Sequence, residues 1–439
     1  MITIDQQPYL LSKSKQDLII LATSDNVGEI GFKYLVNLTI SDNNIITSGT
    51  FQFYISPNSN DSCVINIKDL LSAVKNNESQ FDLHSVHDAF TFEDIGYAQI
   101  DSLTIGEAWI IDSVLTENPD SSVGVNTPIY VINGYYEPEF GFNPNPQSTD
   151  SDISMVLNGS NKRAYSDRKS TTHVWSWAAS FGISSNAICI PVFEEDYGTL
   201  KYSAYSSMLD LSTVAKIKIQ LFDSSGAPHS YTEAVQGTVF ENLRCYPANL
   251  NANTTTVGLP QPADYPNWRF YTIQFLTDAD APCGVTYVFY NAYLYGQQDC
   301  KHDRIRLGWV NSRGGWDYFN FIKKNEESFS MDRKRYHKIR GNYSTASDTT
   351  PFNYLGSDAG LTERGSLVQR FLNITSDWIQ EGEFEFLQSL LVSNQVHWLQ
   401  DDGTFIPVVI EANDYVSKRE RNGKLKNLDL KLRLANNLY

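Results

Sequence analysis

Cysteine is scarce in this chain, and the few cysteines follow neither a metal-binding nor a disulfide pattern. There are five in 439 residues, widely spaced and without a C-x-x-C pair. Secreted disulfide scaffolds and zinc ribbons depend on regularly spaced cysteines, so neither class is predicted. We expect small buried hydrophobes in a protein assembled in a reducing cytoplasm. The cysteines are Cys63, Cys189, Cys245, Cys283 and Cys300.

Long apolar runs are absent as well. No stretch approaches the roughly 20 apolar residues that a helix needs to cross a bilayer. The opening MITIDQQPYLL has no basic region followed by a long apolar segment, so no signal peptide is predicted. We therefore expect a soluble chain that is not secreted and has no membrane partner.

Positive charge is in short supply and unevenly placed. The chain has 34 Lys and Arg against 51 Asp and Glu, a formal net charge of −17, which disfavours direct contact with nucleic acid. Residues 1–300 hold 14 Lys and Arg against 33 Asp and Glu, whereas residues 301–439 hold 20 against 18. The contrast fits either domains of independent composition or a subunit whose acidic face stacks on a basic neighbour.

Sequence motifs for catalysis are missing too. No G-x-S-x-G elbow, Walker A loop or H-E-x-x-H motif occurs. Glu194-Glu195-Asp196 is predicted to be a solvated turn, because adjacent carboxylates on one loop rarely flank a sugar. Asp278-Ala279-Asp280 lacks the later ligands of a calcium loop and is predicted to be a surface turn. Cys300-Lys301-His302-Asp303 has no second ligand cluster. We expect no enzymatic activity, cofactor or metal, although an active site built from distant residues would leave no motif.

What the chain does contain favours β structure. Aromatic residues make up 13% of it, and short β-prone runs alternate with turn signals along most of its length. We predict a mainly β fold of two or three antiparallel β-sandwich-like domains with a few short helices. The predicted strands are Asp17–Thr23, Phe32–Ile40, Ile46–Ile55, Tyr97–Ile100, Glu107–Leu115, Pro128–Asn133, Ile188–Phe193, Ala215–Phe222, Trp268–Leu276, His397–Gln400, Phe405–Glu411 and Leu428–Leu434.

The domain organisation follows from a Pro-rich, Ser/Asp-rich stretch between about Tyr135 and Ile153, which is typical of a linker or long surface loop. We predict an N-terminal β-sandwich domain over 1–140 and a C-terminal β domain over 301–439. Residues 154–300 form either a central β-rich domain or an insertion. One amphipathic helix is predicted near 376–392, with Ser376 or Asp377 as its cap.

The stretch Arg304–Lys324 is dense in aromatic residues around a Gly-Gly pair. Gly314-Gly315 is predicted to form a hairpin turn, because both glycines tolerate positive φ. On the strand that follows, Trp316, Tyr318 and Asn320 should face one way and Asp317, Phe319 and Phe321 the other. The aromatic side chains fit a core, or an interface anchor if exposed. The structural or interface candidates here are Trp309, Gly314, Gly315, Trp316 and Phe319.

A basic cluster lies at Asp332–Arg340, and its interface candidates are Arg333, Lys334 and Arg335. Three interpretations stay open: a solvated strand or helix face, docking on an acidic neighbour, or contact with nucleic acid in a ring lumen.

Three blocks of sequence resemble virion structural proteins of tailed bacteriophages that infect Bacteroidetes, including crAss-like phages. They are Phe32–Leu71, LGWVNSRGGWDYFNF, and SDWIQEGEFEFLQSLLVSNQVHWL followed by FIPVVI. The resemblance covers roughly half of the chain and leaves 140–300 unmatched. It implies a non-enzymatic homo-oligomeric ring in the tail or neck, assembled in the host cytoplasm beside other tail or portal-proximal proteins.

Two further hypotheses belong to other functional classes. A carbohydrate-binding tail fibre or adhesin module would expose aromatic side chains in a groove. A depolymerase would need two separated carboxylates that converge in a cleft.

Overall fold

The structure is a computed structural model. The predicted linker lies outside the residues that it describes. Within the described residues the protein is mainly β and built of several antiparallel sheets, which confirms the predicted fold class. The described residues are 1–42, 49–70, 91–93, 97–125, 127–134, 164–168, 181, 183, 187–203, 214–235, 240–253, 255–295, 302–338, 342–343, 352–353, 360–377, 379, 381–411 and 427–435.

The first part of the chain forms two sheets that enclose one core. A three-stranded sheet has the order β1-β3-β6, and a larger sheet has the order β2-β10-β8-β4-β5, with β9 also paired to β8. Period-two alternation places Tyr34, Val36 and Leu38 of β4 in the core. The strands are β1 (Ile2–Gln6), β2 (Leu11–Lys13), β3 (Ile19–Ser24), β4 (Lys33–Asp42), β5 (Gly49–Ile55), β6 (Ser62–Asn66), β7 (Thr91–Glu93), β8 (Tyr97–Ile111), β9 (Val114–Gly124) and β10 (Ile129–Ile132).

One predicted strand in this part is wrong. Glu107–Leu115 was expected to be a single strand, but the chain reverses within it. Asp112 and Ser113 have φ of 52° and 69°, which is the backbone of a two-residue hairpin turn. Apolar residues directly flank the turn, Ile110 and Ile111 before it and Val114 and Leu115 after it, so the segment resembled one continuous β-prone run.

The middle part also forms two sheets. A five-stranded sheet has the order β11-β17-β16-β13-β14, and a three-stranded sheet has the order β12-β15-β7. The strand β7 comes from the first part of the chain, so residues 91–93 complete a sheet of the middle part. The elements are β11 (Ile188–Val192), β12 (Leu200–Ser203), β13 (Lys216–Phe222), β14 (Pro228–Ala234), β15 (Phe240–Leu243), α1 (Pro247–Ala252), a 3-10 turn (Pro262–Asp264), β16 (Phe270–Leu276) and β17 (Tyr287–Asn291).

The last part is a seven-stranded sheet in the order β19-β18-β24-β25-β26-β23-β20, covered by a helix. Phe386, Leu387 and Leu390 of the helix share a core with Leu430 and Leu432 of the sheet. The elements are β18 (Ile305–Val310), β19 (Trp316–Phe321), β20 (Asn325–His337), β21 (Asn342–Tyr343), β22 (Phe352–Asn353), β23 (Leu361–Thr375), α2 (Glu381–Val392), β24 (Val396–Leu399), β25 (Phe405–Ile410) and β26 (Asp429–Leu434).

The predicted amphipathic helix is confirmed, but it begins at Glu381 rather than at 376. Ser376 does not cap it, because its hydroxyl accepts a hydrogen bond from the backbone N–H of Leu428 at 2.8 Å. Asp377 forms an ion pair with Lys323 at 3.3 Å. Ser376 and Asp377, which were predicted to cap the helix, therefore hold the segment before the helix against the sheet.

The cysteines behave largely as expected. Cys63, Cys245 and Cys283 are buried and Cys189 is half-buried, and none of these four forms a disulfide; Cys300 lies outside the described residues. Burial raises the pKa of Cys63 to about 12. Across the described ranges, no helix is long and apolar enough to span a membrane.

Candidate functional site

The aromatic strand β19 lies between two hydrophobic cores. Trp316 and Tyr318 belong to the middle core. Trp309, Phe319 and Phe321 belong to the C-terminal core. The predicted alternation of side chains is confirmed, and it makes one strand contribute to both cores. Trp316 and Tyr318 thus join the last sheet to its neighbour, whereas Phe319 packs within its own core.

The turn between β18 and β19 is longer than the sequence predicted, and it packs more closely against neighbouring backbone. Val310 pairs with Trp316, so the loop has five residues instead of the two expected. Gly314 has φ of +74°, as predicted. Gly315 has no positive φ; it is required because a Cβ there would lie 2.0 Å from the carbonyl oxygen of Tyr165.

The same turn also contacts the first part of the chain. A Cβ on Gly314 would lie 2.9 Å from the carbonyl oxygen of Asn133, and one on Gly134 would lie 2.6 Å from that of Ser312. Lys201 of the middle part donates to the Gly314 carbonyl at 3.2 Å. The turn is therefore a junction of all three parts, and we call residues 311–317 the junction.

A buried hydrogen-bond network fixes the junction to residues 165–167. The Asn311 side chain donates to the Tyr165 carbonyl at 2.7 Å and to the Asp317 carboxylate at 2.9 Å. Asp317 also accepts from the Ser166 hydroxyl at 2.6 Å and from the Asp167 backbone N–H at 2.9 Å. Burial and the nearby Asp167 charge raise the pKa of Asp317. A carboxylate with three donors is satisfied, which suits a structural role.

Two arginines balance the charges of this network. Arg313 donates to the Ser166 carbonyl at 2.6 Å and lies 3.7 Å from Asp167. Arg168 donates to the Tyr318 carbonyl at 2.8 Å and stacks over the Phe386 ring at 4.2 Å. Buried charges of opposite sign, each hydrogen-bonded, hold the junction in one arrangement.

A second network involves the acidic triplet, and here the prediction of a solvated turn is wrong. Asp196 is fully buried and pairs with Arg306 at 3.0 Å. Arg306 lies between the rings of Tyr246 and Tyr318, at 4.8 and 4.9 Å. Because Arg306 is on β18, this ion pair connects the middle and C-terminal parts. The run of adjacent acidic residues did not predict this ion pair, since Asp196 and Arg306 are more than 100 positions apart in the sequence.

The other two acids of the triplet are also engaged. Glu194 accepts from the Trp268 indole N–H at 2.8 Å and from Asn251 at 2.8 Å. Glu195 pairs with Arg304 at 3.1 Å, and Arg304 also pairs with Asp401 at 3.1 Å. Glu195 and Asp196 therefore connect the middle part to the C-terminal part, whereas Glu194 is held within the middle part.

The most exposed feature is a two-stranded ribbon formed by β20 and β23. β26 pairs with β23 only over Phe371–Thr375, whereas β20 pairs with β23 as far as Leu361. At roughly 3.4 Å per residue, residues 361–370 extend about 30 Å past the sheet. Residues 326–338 are all exposed, and none of 361–370 is buried. We call residues 329–338 and 361–370 the arm.

The three basic candidates lie on the arm. Arg333 is opposite Ser366 and 3.5 Å from Glu363, while Lys334 and Arg335 flank a β-bulge. Strand alternation sends Arg333 and Arg335 to one face and Lys334 to the other. They are solvated strand residues in the isolated chain, as one interpretation of the cluster predicted. The sequence candidates thus fall at two separate places, the junction and the arm.

The remaining acidic and metal candidates give no site in the described residues. Asp280 lies in an exposed turn and pairs with Lys216 at 2.9 Å, which confirms the predicted surface turn. His84, His87 and Cys300 lie outside the described residues. No group of three His, Cys, Asp or Glu in the described part could hold a metal ion.

Comparison with known proteins adds no relative: the chain matches no protein-family profile and no curated protein. The resemblance to phage virion proteins therefore stays a prediction.

Proposed function

We propose that this chain is a structural protein of a bacteriophage virion, a subunit of an oligomeric ring in the tail or neck, with no enzymatic role. The observation that carries the proposal is the arm. A two-stranded ribbon alone in water is marginally stable, so an exposed arm of this length gains stability from a binding partner.

Its side chains support the same proposal. Phe329, Met331 and Tyr336 are about half exposed, at 53%, 54% and 47%. Exposed aromatic and methionine side chains next to arginines are typical of protein interfaces. The partners would be further copies of the chain and other tail or portal-proximal proteins.

The body of the protein suits such a subunit. The junction and the Arg306–Asp196 pair tie the parts together through buried, hydrogen-bonded groups. A body held in this way can transmit load between neighbours without rearranging. The resemblance of three sequence blocks to virion proteins adds to the argument, and assembly would take place in the host cytoplasm.

The adhesin alternative needs exposed aromatic side chains in a groove, and tryptophan is the residue type it relies on most. In the described part of the chain, Trp268, Trp309 and Trp316 are buried, and Trp109 and Trp398 are half-buried. No observation on these five favours a sugar platform.

The test is the composition of particles purified from the source culture. Quantitative mass spectrometry should find the protein in a fixed copy number per particle, and a labelled antibody should bind at the tail or neck. Absence of the protein from purified particles would overturn the proposal.

A further inference from the structure

We infer that the arm of one copy binds the β8–β9 hairpin of a second copy of this chain. The inference rests on the proposed function and names the two surfaces that would meet between subunits.

The tip of the β8–β9 hairpin is exposed and apolar. All of residues 110–117 are exposed. Four of these eight are large apolar residues, with exposed fractions of 42% for Ile110, 46% for Ile111, 64% for Val114 and 41% for Leu115. Ile30, which is 77% exposed, lies beside them, since its carbonyl accepts from the Ile110 N–H at 2.9 Å. Ile110 pairs with Leu115 and Ile111 with Val114, so each face of the hairpin tip presents one exposed apolar pair. Exposed large apolar side chains grouped in this way mark an interaction surface.

The hairpin is also acidic. Residues 76–161 contain 14 Asp and Glu and no Lys or Arg. At the tip, Asp112 and Glu117 are exposed. The tip therefore presents negative charge beside its exposed apolar side chains, with no cation on either strand to neutralise it.

The distal part of the arm has the opposite charge. Residues 331–338 and 361–368 hold five Lys and Arg against two Asp and Glu. Those cations flank Met331 and Tyr336, which are exposed. The arm thus offers positive charge around apolar side chains, which complements the hairpin in both respects.

The partner is another copy because both surfaces are exposed on this chain. Within one chain the arm does not cover the β8–β9 hairpin, and every copy of the chain carries both surfaces. A contact between two different patches is heterologous, and repeating it generates a closed ring or an open filament. That is the geometry which the proposed ring requires.

The test uses the full chain in sedimentation velocity at increasing protein concentration, in low and in about 0.5 M salt. The arm variant is Arg333→Glu with Lys334→Glu and Arg335→Glu. The hairpin variant is Asp112→Asn with Glu117→Lys, because Asn keeps the left-handed turn conformation. The control variant changes the same number of charges elsewhere, at Lys15, Lys68 and Lys218, each to Glu.

The wild-type chain and the control should self-associate, more strongly at low salt. Each of the other two variants should associate about tenfold more weakly or worse, because like charges then face each other. An equimolar mixture of these two variants should recover association, since the intact hairpin of one meets the intact arm of the other. Recovery also shows that both variants are folded.

Three results would overturn the inference: a wild-type chain that is monomeric throughout, variants that associate like wild type, or a mixture that fails to recover. Loss of DNA-oligonucleotide binding by the arm variant with self-association intact would assign the arm to nucleic acid instead. Detection of the protein in particles is independent of these results, so the docking contact can fail while the virion role stands.

Discussion

Gly315 shows how one absent side chain can determine packing. Its Cα faces the backbone of Tyr165, and backbone atoms cannot move aside as a flexible side chain can. We expect Gly315→Val to lower the free energy of unfolding by about 3 kcal/mol or more, because overpacking displaces the junction. Urea unfolding followed by tryptophan fluorescence measures this.

Gly124→Val is the matched control, because nothing lies within 4 Å of a Cβ built there. It should leave stability within about 0.5 kcal/mol of wild type. Equal stability of the two variants would contradict the close approach at Gly315.

His397 gives a pH dependence whose sign can be worked out. It stacks between Trp316 and Phe405, with ring centroids 5.1 and 4.9 Å away, and burial lowers its pKa to about 4. The unfolded chain, with a pKa near 6.5, binds the proton first as pH falls. Stability should therefore decrease between about pH 6.5 and 4, by at most about 1.4 kcal/mol per pH unit.

The comparison variant is His397→Phe, which keeps an aromatic ring but cannot titrate. The difference in unfolding free energy between wild type and this variant should shrink or reverse as pH falls through that window. A difference that stays constant from pH 7 to 4 would contradict the lowered pKa of the half-buried His397.

At the scale of elements, the arm should be separable from the body. Phe329 pairs with Arg370, so residues 330–369 can be replaced by Asn-Gly, which favours a two-residue hairpin turn. Among the removed residues whose exposure the structure describes, only Gly360 is buried, so the unfolding free energy should change by less than about 1 kcal/mol. Chemical denaturation measures this, and a loss of several kcal/mol would show that the arm stabilises the body.

Sequence patterns predicted strands that bury one face or both. Nine of the predicted strands, among them Ala215–Phe222 and Leu428–Leu434, agree with the structure to within two residues at each end. In these two the alternation records which side faces the core, whereas β10 and β16 are buried on both faces. The long strands β20 and β23 were not predicted as a pair, because a ribbon exposed on both faces leaves no apolar period to detect.

The junction was only partly predictable for a different reason. Gly-Gly and the aromatic residues indicated a turn and a packed strand. The junction's partners Ser166 and Asp167, and Asp196 in the second network, gave no signal, because their roles come from residues about 110 to 150 positions away. Long-range polar pairing depends on topology, which local spacing does not encode.

At the scale of the whole molecule, the cores are not independent units. Tyr318 is on the C-terminal sheet, yet it is buried in the middle core, where its hydroxyl accepts from the Thr199 N–H at 3.0 Å. Burial raises the pKa of the Tyr318 hydroxyl to about 12. At physiological pH the side chain therefore carries no charge and stays packed among apolar residues. One side chain thus links the stability of two sheets.

We expect the middle and C-terminal cores to open together in hydrogen exchange, with peptides from β16 and β26 exchanging at the same rate under conditions of global unfolding. Tyr318→Ala removes a buried ring, costs about 3–5 kcal/mol and should let the β16 peptide exchange first. Tyr54→Ala, at a tyrosine that is 42% exposed, should leave the two peptides coupled. If β16 and β26 already exchange separately in the wild-type chain, the shared strand does not join the cores energetically. If they stay coupled in Tyr318→Ala, the remaining links, among them Trp316 and the Arg306–Asp196 pair, are sufficient to hold them together.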